Sequence, residues 1–196
     1  SMLKITDEIV DNVENERSHG EYLAGSIKDE IWVDHEILQR ENVYDFFLNV
    51  VRSYVIEALC QKMPFVKHKV LNEEWYTQLG PVWIISQKDN EYNPIHIHMG
   101  CNVSSVMFLK IPEFLPNRKS HTSYFKGIRT SQFYDGGIGF VSNAAIDPIW
   151  GIPGMTIIPN VGDFFIFPAS QQHLVYPFRT ADGKGERRSV SFNAVF

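Results

Sequence analysis

The chain changes character at Gly80-Pro81, and that change constrains its fold more than any other feature. Beyond it, short runs rich in Val, Ile, Phe and Trp are separated by Gly, Pro, Asn and Asp, the pattern of strands punctuated by turns. The expected strands are Val82 to Gln87, Ile95 to Met99, Ser104 to Ile111, Ile138 to Ser142, Thr156 to Pro159, Asp163 to Phe167, His173 to Phe178 and Arg187 to Val195. Eight short strands suit a two-sheet jelly roll, a mainly β double-stranded β-helix. Before the change point the periodicity is helical. From Glu41 to Met63, the residues Val43, Phe46, Phe47, Val50, Val51, Tyr54, Val55, Ala58 and Leu59 recur at three- and four-residue steps, predicting an amphipathic helix that ends before Pro64 and packs its stripe on a sheet. A weaker helical pattern covers Ile5 to Arg17. The chain of 196 residues therefore reads as a single domain over 1–196, with N-terminal helical support over about 1–80 and a jelly-roll core over about 81–196.

Bulk properties narrow the function classes. Lys and Arg total 18 against 23 Asp and Glu, so no broad cationic face for a phosphate backbone is indicated. The two cysteines, Cys60 and Cys101, form neither a CxxC motif nor a disulfide framework, which fits a reducing compartment. There is no apolar leader at the start and no run approaching the roughly 18 apolar residues of a membrane span. A cytoplasmic location is expected. A GxSxG elbow and a P-loop are both absent, so nucleophilic hydrolysis and nucleotide binding have little support.

Within the β half, His96-Ile97-His98 lies in a strand pattern, where alternate side chains face the same way and both imidazoles can enter one cavity. Taken alone, such a pair is more often two polar residues on a solvated face. Val161 to Pro168 reads as a tight turn into an apolar strand, and His173 follows a short link after it. In an antiparallel roll this late strand can lie beside the early one and bring a third imidazole to the metal face left open by His96 and His98. The plainer reading of His173 is a strand-end histidine bonded to backbone. Three ligands on one face would leave room for a bidentate cosubstrate and O2, as non-haem iron requires.

Further along, alternation from Gly185 to Asn193 puts Arg187, Ser189, Ser191 and Asn193 on one face, and Val190 and Phe192 on the other. If the first face lines the cavity, an arginine points inward and needs a carboxylate in its fork. Glu186 falls on the opposite face, so a ligand carboxylate is the expected partner, with the Ser189 hydroxyl as a second donor. Alternatively, Arg187 and Arg188 simply cap a sheet edge.

Asn93 to His98, Val103 to Glu113, Gly162 to Pro168, His173 and Arg187 to Asn193 together resemble the 2-oxoglutarate- and Fe(II)-dependent oxygenase superfamily, and within it small bacterial and phage oxygenases. The resemblance spans about residues 82 to 196. Its order, an HxH pair, a distal His and an Arg-x-Ser about fourteen residues later, is more specific than any one motif. It implies a cupin-like roll with Fe(II) as the metal, held by His96 and His173 as its two imidazoles, with His98 at the position of the remaining ligand. It further implies 2-oxoglutarate as cosubstrate on Arg187 and Ser189, O2 as the other reactant, and hydroxylation of a prime substrate with formation of succinate and CO2. Position 98 departs from the pattern: most members have Asp or Glu there, and His98 leaves the iron one negative charge poorer. Prolyl hydroxylases, to which the chain is similar, also carry a tyrosine that touches 2-oxoglutarate. Phe108 stands at one candidate position for it, with Gln87, Tyr92 or Asn93 as other sources of that hydrogen bond.

Two further readings stay open at this level. One is a three-His cupin-type dioxygenase that takes its substrate directly, and the other is a non-enzymatic jelly-roll binding module with incidental histidines. The prime substrate (a protein side chain such as proline, a metabolite or a nucleobase) is set by strand-edge loops, here Pro112 to Gly136, readable as a lid or an insertion, and Asn143 to Gly154. Trp83 and Trp150 are candidates for cavity wall or core, and His19, His35, His68 and His121 for surface or capping roles.

Overall fold

The computed structural model describes residues 1–12, 25–66, 76–115, 134–141 and 154–196. Most of Pro112 to Gly136 and of Asn143 to Gly154, the end of the first expected helix, His19, His68, His121 and Trp150 lie outside the described residues. The described elements are helices α1 (Met2–Asn12), α2 (His35–Arg40) and α3 (Tyr44–Lys62) and strands β1 (Glu30–Trp32), β2 (Gln78–Lys88), β3 (Asn93–His96), β4 (Val103–Lys110), β5 (Ile138–Phe140), β6 (Met155–Ile157), β7 (Phe164–Pro168), β8 (His173–Val175) and β9 (Glu186–Val195).

Strand pairing closes from the outside inward. β2 pairs with β9, β3 with β8, β4 with β7 and β5 with β6, all antiparallel. This amounts to one long hairpin whose strands are dealt alternately into two sheets, ordered β1-β2-β9-β4-β7 and β3-β8-β5-β6. That winding is the double-stranded β-helix expected from the strand count. All eight expected strands are present, with ends shifted by a few residues. The largest shift is at β2, which runs back through Gly80-Pro81 to Gln78 instead of starting after it. A register shift between Leu79 and Val82 absorbs Pro81, which has no N–H to give the ladder.

Burial explains the helices. Phe47, Val51 and Val55 of α3 are fully buried against Val82 and Ile84 of β2 and Val190, Phe192 and Ala194 of β9. The Phe47 ring lies 4.8 Å from that of Phe192. The stripe is narrower than the periodicity predicts: Phe46 is 48% exposed, because the buried line advances by four residues and leaves position 46 on its outer side. The helices thus cover one face of the five-stranded sheet, and its other face is free to line a cavity.

Candidate active site

The two sheets enclose a cavity of about 230 Å³. On the four-stranded side, β3 and β8 pair His96 directly with His173. The sequence reading places His98 inside a strand, but β3 ends at His96. Both histidines nevertheless line the cavity, while Ile95 is 58% exposed and Ile97, 47% exposed, also borders the cavity. The backbone N–H of His98 donates to the Ala169 carbonyl at 3.0 Å, which fixes the chain beyond the strand end. Ring centroids lie 4.2 Å apart for His96–His173, 5.4 Å for His96–His98 and 5.2 Å for His98–His173. One ring nitrogen from each lies within 4.8 Å of the others, a spacing that one metal ion can bridge.

Protonation favours ligation. His96 Nδ1 lies 2.7 Å from the Pro94 carbonyl, and His173 Nδ1 lies 2.9 Å from the Gln171 carbonyl. A carbonyl only accepts, so in each ring Nδ1 carries a hydrogen, and Nε2 is the nitrogen left to face a ligand. Burial, then the neighbouring imidazoles His173 and His96, push His98 down to about 3. Burial is likewise the largest cause at His173, which falls to about 4 despite an opposing backbone hydrogen bond at Gln171. Near neutral pH His98 and His173 are therefore neutral imidazoles.

The opposite wall belongs to the five-stranded sheet. Arg187, Ser189 and Ser191 of β9 line the cavity, while Val190, Phe192 and Ala194 enter the core beneath α3. The alternation expected from sequence is therefore observed for Arg187, Ser189 and Ser191, whereas Asn193, expected on the same face, does not line the cavity. β9 lies between β2 and β4 and is not an edge, so the edge-capping alternative for Arg187 and Arg188 does not apply. Arg188 points the other way, into an ion-pair cluster with Glu186 and Asp7. Arg187 is 2% exposed and donates to the Gly136 carbonyl, and its guanidinium carbon lies 5.4 Å from the centre of the Phe108 ring. Its Nε has no hydrogen-bond partner among the described residues. Burial alone draws it down to about 9. A buried guanidinium with an orphaned N–H fits an anionic ligand, and a carboxylate matches its fork.

Phe108 faces the cavity and has no hydroxyl to offer. Of the other candidate donors, Tyr92 is 46% exposed, Gln87 donates to the carbonyls of Glu91 and Tyr176, and Asn93 bonds to Glu30. Trp83 lines the cavity. His35 lies outside it, with Nε2 2.9 Å from the Gly80 carbonyl. Sequence reasoning missed Glu30, a carboxyl 2% exposed on the cavity wall. Its strand β1 is only three residues long, and the available signal was the alternation of Ile31 and Val33, both buried, around Trp32.

Residues 81–193 match the sequence pattern of a family described as "Putative 2OG-Fe(II) oxygenase". No curated protein sequence matches the chain. Among solved structures, a prolyl-4-hydroxylase from Pseudomonas putida shares 12% identity at TM-score 0.50, over 99% of this chain and 83% of that one. A viral collagen prolyl hydroxylase from Paramecium Bursaria Chlorella virus-1, in complex with 2OG, shares 12% at TM-score 0.47, over 96% and 87%. An oxidoreductase of the 2OG-Fe(II) oxygenase family from Burkholderia pseudomallei shares 13% at TM-score 0.43, over 65% of this chain and 48% of that one. The chain thus spans about half the length of the Burkholderia protein. At such identity the likeness to the Pseudomonas structure is one of fold.

Proposed function

The chain belongs to the 2-oxoglutarate- and Fe(II)-dependent oxygenase family, and on that premise we propose that it hydroxylates a C–H bond of a prime substrate, forming succinate and CO2 alongside. The observation that carries this reading is the meeting of three clustered imidazoles with an orphaned buried guanidinium in one cavity. In this assignment His96, His98 and His173 hold Fe(II), and Arg187 with Ser189 holds the far carboxylate of 2-oxoglutarate. Fe(II) and 2-oxoglutarate, when bound, supply the activation of O2 that breaks the C–H bond.

The chain's own residues orient and shield. The Pro94 and Gln171 carbonyls hold two imidazoles in the Nδ1–H form, with Nε2 free for the metal. Arg187 offers a charge-assisted donor in a dry site, where its attraction for a carboxylate is screened little. Val106, Phe108, Ile138 and Phe167 surround the space with apolar surface that excludes water. A prolyl or other protein side chain is the first substrate class to assay, because the Pseudomonas protein of the same fold is a prolyl-4-hydroxylase.

The imidazole at position 98 favours one second reading, a three-His dioxygenase whose substrate carboxylate rests on Arg187 without 2-oxoglutarate. Fe(II)-dependent conversion of 2-oxoglutarate to succinate under air, including slow turnover without prime substrate, separates the two. Arg187→Ala is expected to abolish both that turnover and 2-oxoglutarate binding; persistence of both sinks the assignment. Stoichiometric metal uptake without turnover of 2-oxoglutarate points to the second reading. A protein that takes up no Fe(II), Mn(II) or Ni(II) under anaerobic titration has neither activity.

A further inference from the structure

The cavity has a second polar end, away from Arg187. Glu30 of β1 stands opposite Ile85 of β2, which stands opposite Ser189 of β9, so the three share one row on the cavity face. Two strand spacings put the Glu30 and Ser189 backbones about 10 Å apart. Glu30 is 2% exposed, and among the described residues its Oε2 has no hydrogen-bond partner. Asn93, on the facing sheet, bonds to Glu30, and its own Oδ1 is also buried without a partner among the described residues. Gly25 packs so closely on Asn93 Oδ1 that a Cβ there would lie 1.6 Å from it. Both orphaned atoms are of the accepting kind. Glu91 adds a second carboxyl close enough to oppose Glu30's ionisation. Beside this pair stand the indole of Trp83 and the aliphatic Ile27 and Ile85.

Acceptors without donors, a local excess of carboxyl groups, an indole and an apolar wall are together what a nitrogen cation on an aliphatic stem requires. A carboxylate ligand would instead face repulsion here, which separates this end from the Arg187 end. We propose that Glu30, supported by Asn93, is a specificity-determining residue that binds a cationic nitrogen, alkylammonium or guanidinium, of the prime substrate. This rests on the oxygenase reading of the cavity. The substrate then lies between its cation on Glu30 and the imidazole cluster, with aliphatic carbon presented for oxidation. Burial, the largest cause, pushes the Glu30 carboxyl up to about 7, so in the empty site it is poised to ionise when a cation arrives.

The test uses n-pentylammonium, 1-pentanol and pentanoate as matched probes, with binding to the full chain followed by ligand-detected NMR. Wild-type protein is measured both loaded with Mn(II) and 2-oxoglutarate and free of metal. Pentylammonium is expected to bind about ten-fold or more tightly than pentanol, and pentanoate more weakly than either at this end. Glu30→Gln is expected to weaken pentylammonium by about ten-fold while leaving pentanol within about two-fold, with Mn(II) stoichiometry as its folding control. Equal binding of ammonium and alcohol to wild-type protein overturns the proposal, with no variant needed. So does a Glu30→Gln protein that keeps its ammonium affinity. Failure of Mn(II) or 2-oxoglutarate to bind wild-type protein, read by calorimetry, counts against the oxygenase reading, while the metal-free arm still decides on Glu30.

Discussion

If His96, His98 and His173 hold the metal as proposed, an imidazole at position 98 stands where a carboxylate would carry negative charge, and metal affinity then depends on all three imidazoles. In anaerobic Mn(II) titrations, His173→Ala and His98→Ala are each expected to raise Kd by about 100-fold or more, whereas His98→Asp should keep stoichiometric uptake. Wild-type affinity in His98→Ala would remove that residue from the site. Glu30 is a residue of the opposite kind, one that weakens the fold. Its folded value of about 7 exceeds the ordinary 4.5. Between those values the unfolded carboxyl has released its proton while the folded one keeps it, so stability declines as pH rises through that window. Glu30→Gln escapes this loss. Urea denaturation at about pH 8 should show it more stable than wild type by about 3 kcal/mol, with little gain near pH 4. An equal gain at both pH values would show that the charge is not the cause.

At the level of elements, α3 shows what a periodic pattern can and cannot report. Its helical character was plain in the sequence, but adjacent Phe46 and Phe47 both fit the apolar steps, and the 100° turn between them lets only one face the sheet. Phe47→Ala removes a fully buried ring in contact with Phe164 and Phe192 and is expected to lower stability by about 3–5 kcal/mol. Phe46→Ala should change it by less than about 1 kcal/mol, with thermal melts of both variants as the check. β1 shows the limit from the other side. Three residues are too few for period-two alternation to stand out, and Glu30 at its start was consequently passed over. β3 was legible as a strand, but its end at His96 was not, because a hydrogen bond to Ala169 rather than a ladder carries the chain on to His98.

For the molecule as a whole, Glu186 is the electrostatic junction on the face away from the cavity. It accepts from Lys110 of β4 at 2.7 Å and Ser86 of β2 at 2.7 Å, and pairs with Arg188, which also reaches Asp7 of α1. Burial by itself would raise Glu186, but hydrogen bonds from Lys110, Ser86 and Arg188 and the charge of Arg188 outweigh it and hold it at about 2. A depressed carboxyl contributes stability above its unfolded value near 4.5 and loses it as pH falls towards 2. Glu186→Gln is therefore expected to be less stable than wild type at neutral pH, with the two curves converging in acid. A constant difference from about pH 7 to pH 2 would sink this account. Among the described residues, no helix is long and apolar enough to cross a membrane.

Two periodicities and one ordered set of residues were legible without coordinates: a helical first part, a β-rich second part, and His96-x-His98, His173 and Arg187-x-Ser189 in that order. They carry this information because alternation and helical steps are local, reporting which side chains of one segment share a face. The identity of the facing segment is not local. Pairing of β3 with β8 set His96 against His173, and pairing of β2 with both β1 and β9 put Glu30 in one row with Ser189. Only the tertiary structure decided that, among the described residues, the inward arginine has an orphaned N–H, and that one oxygen of a buried carboxyl stands without a partner about two strands away. Those are statements about what surrounds a group in three dimensions, and burial that leaves a polar atom without a partner is a property of the assembled core.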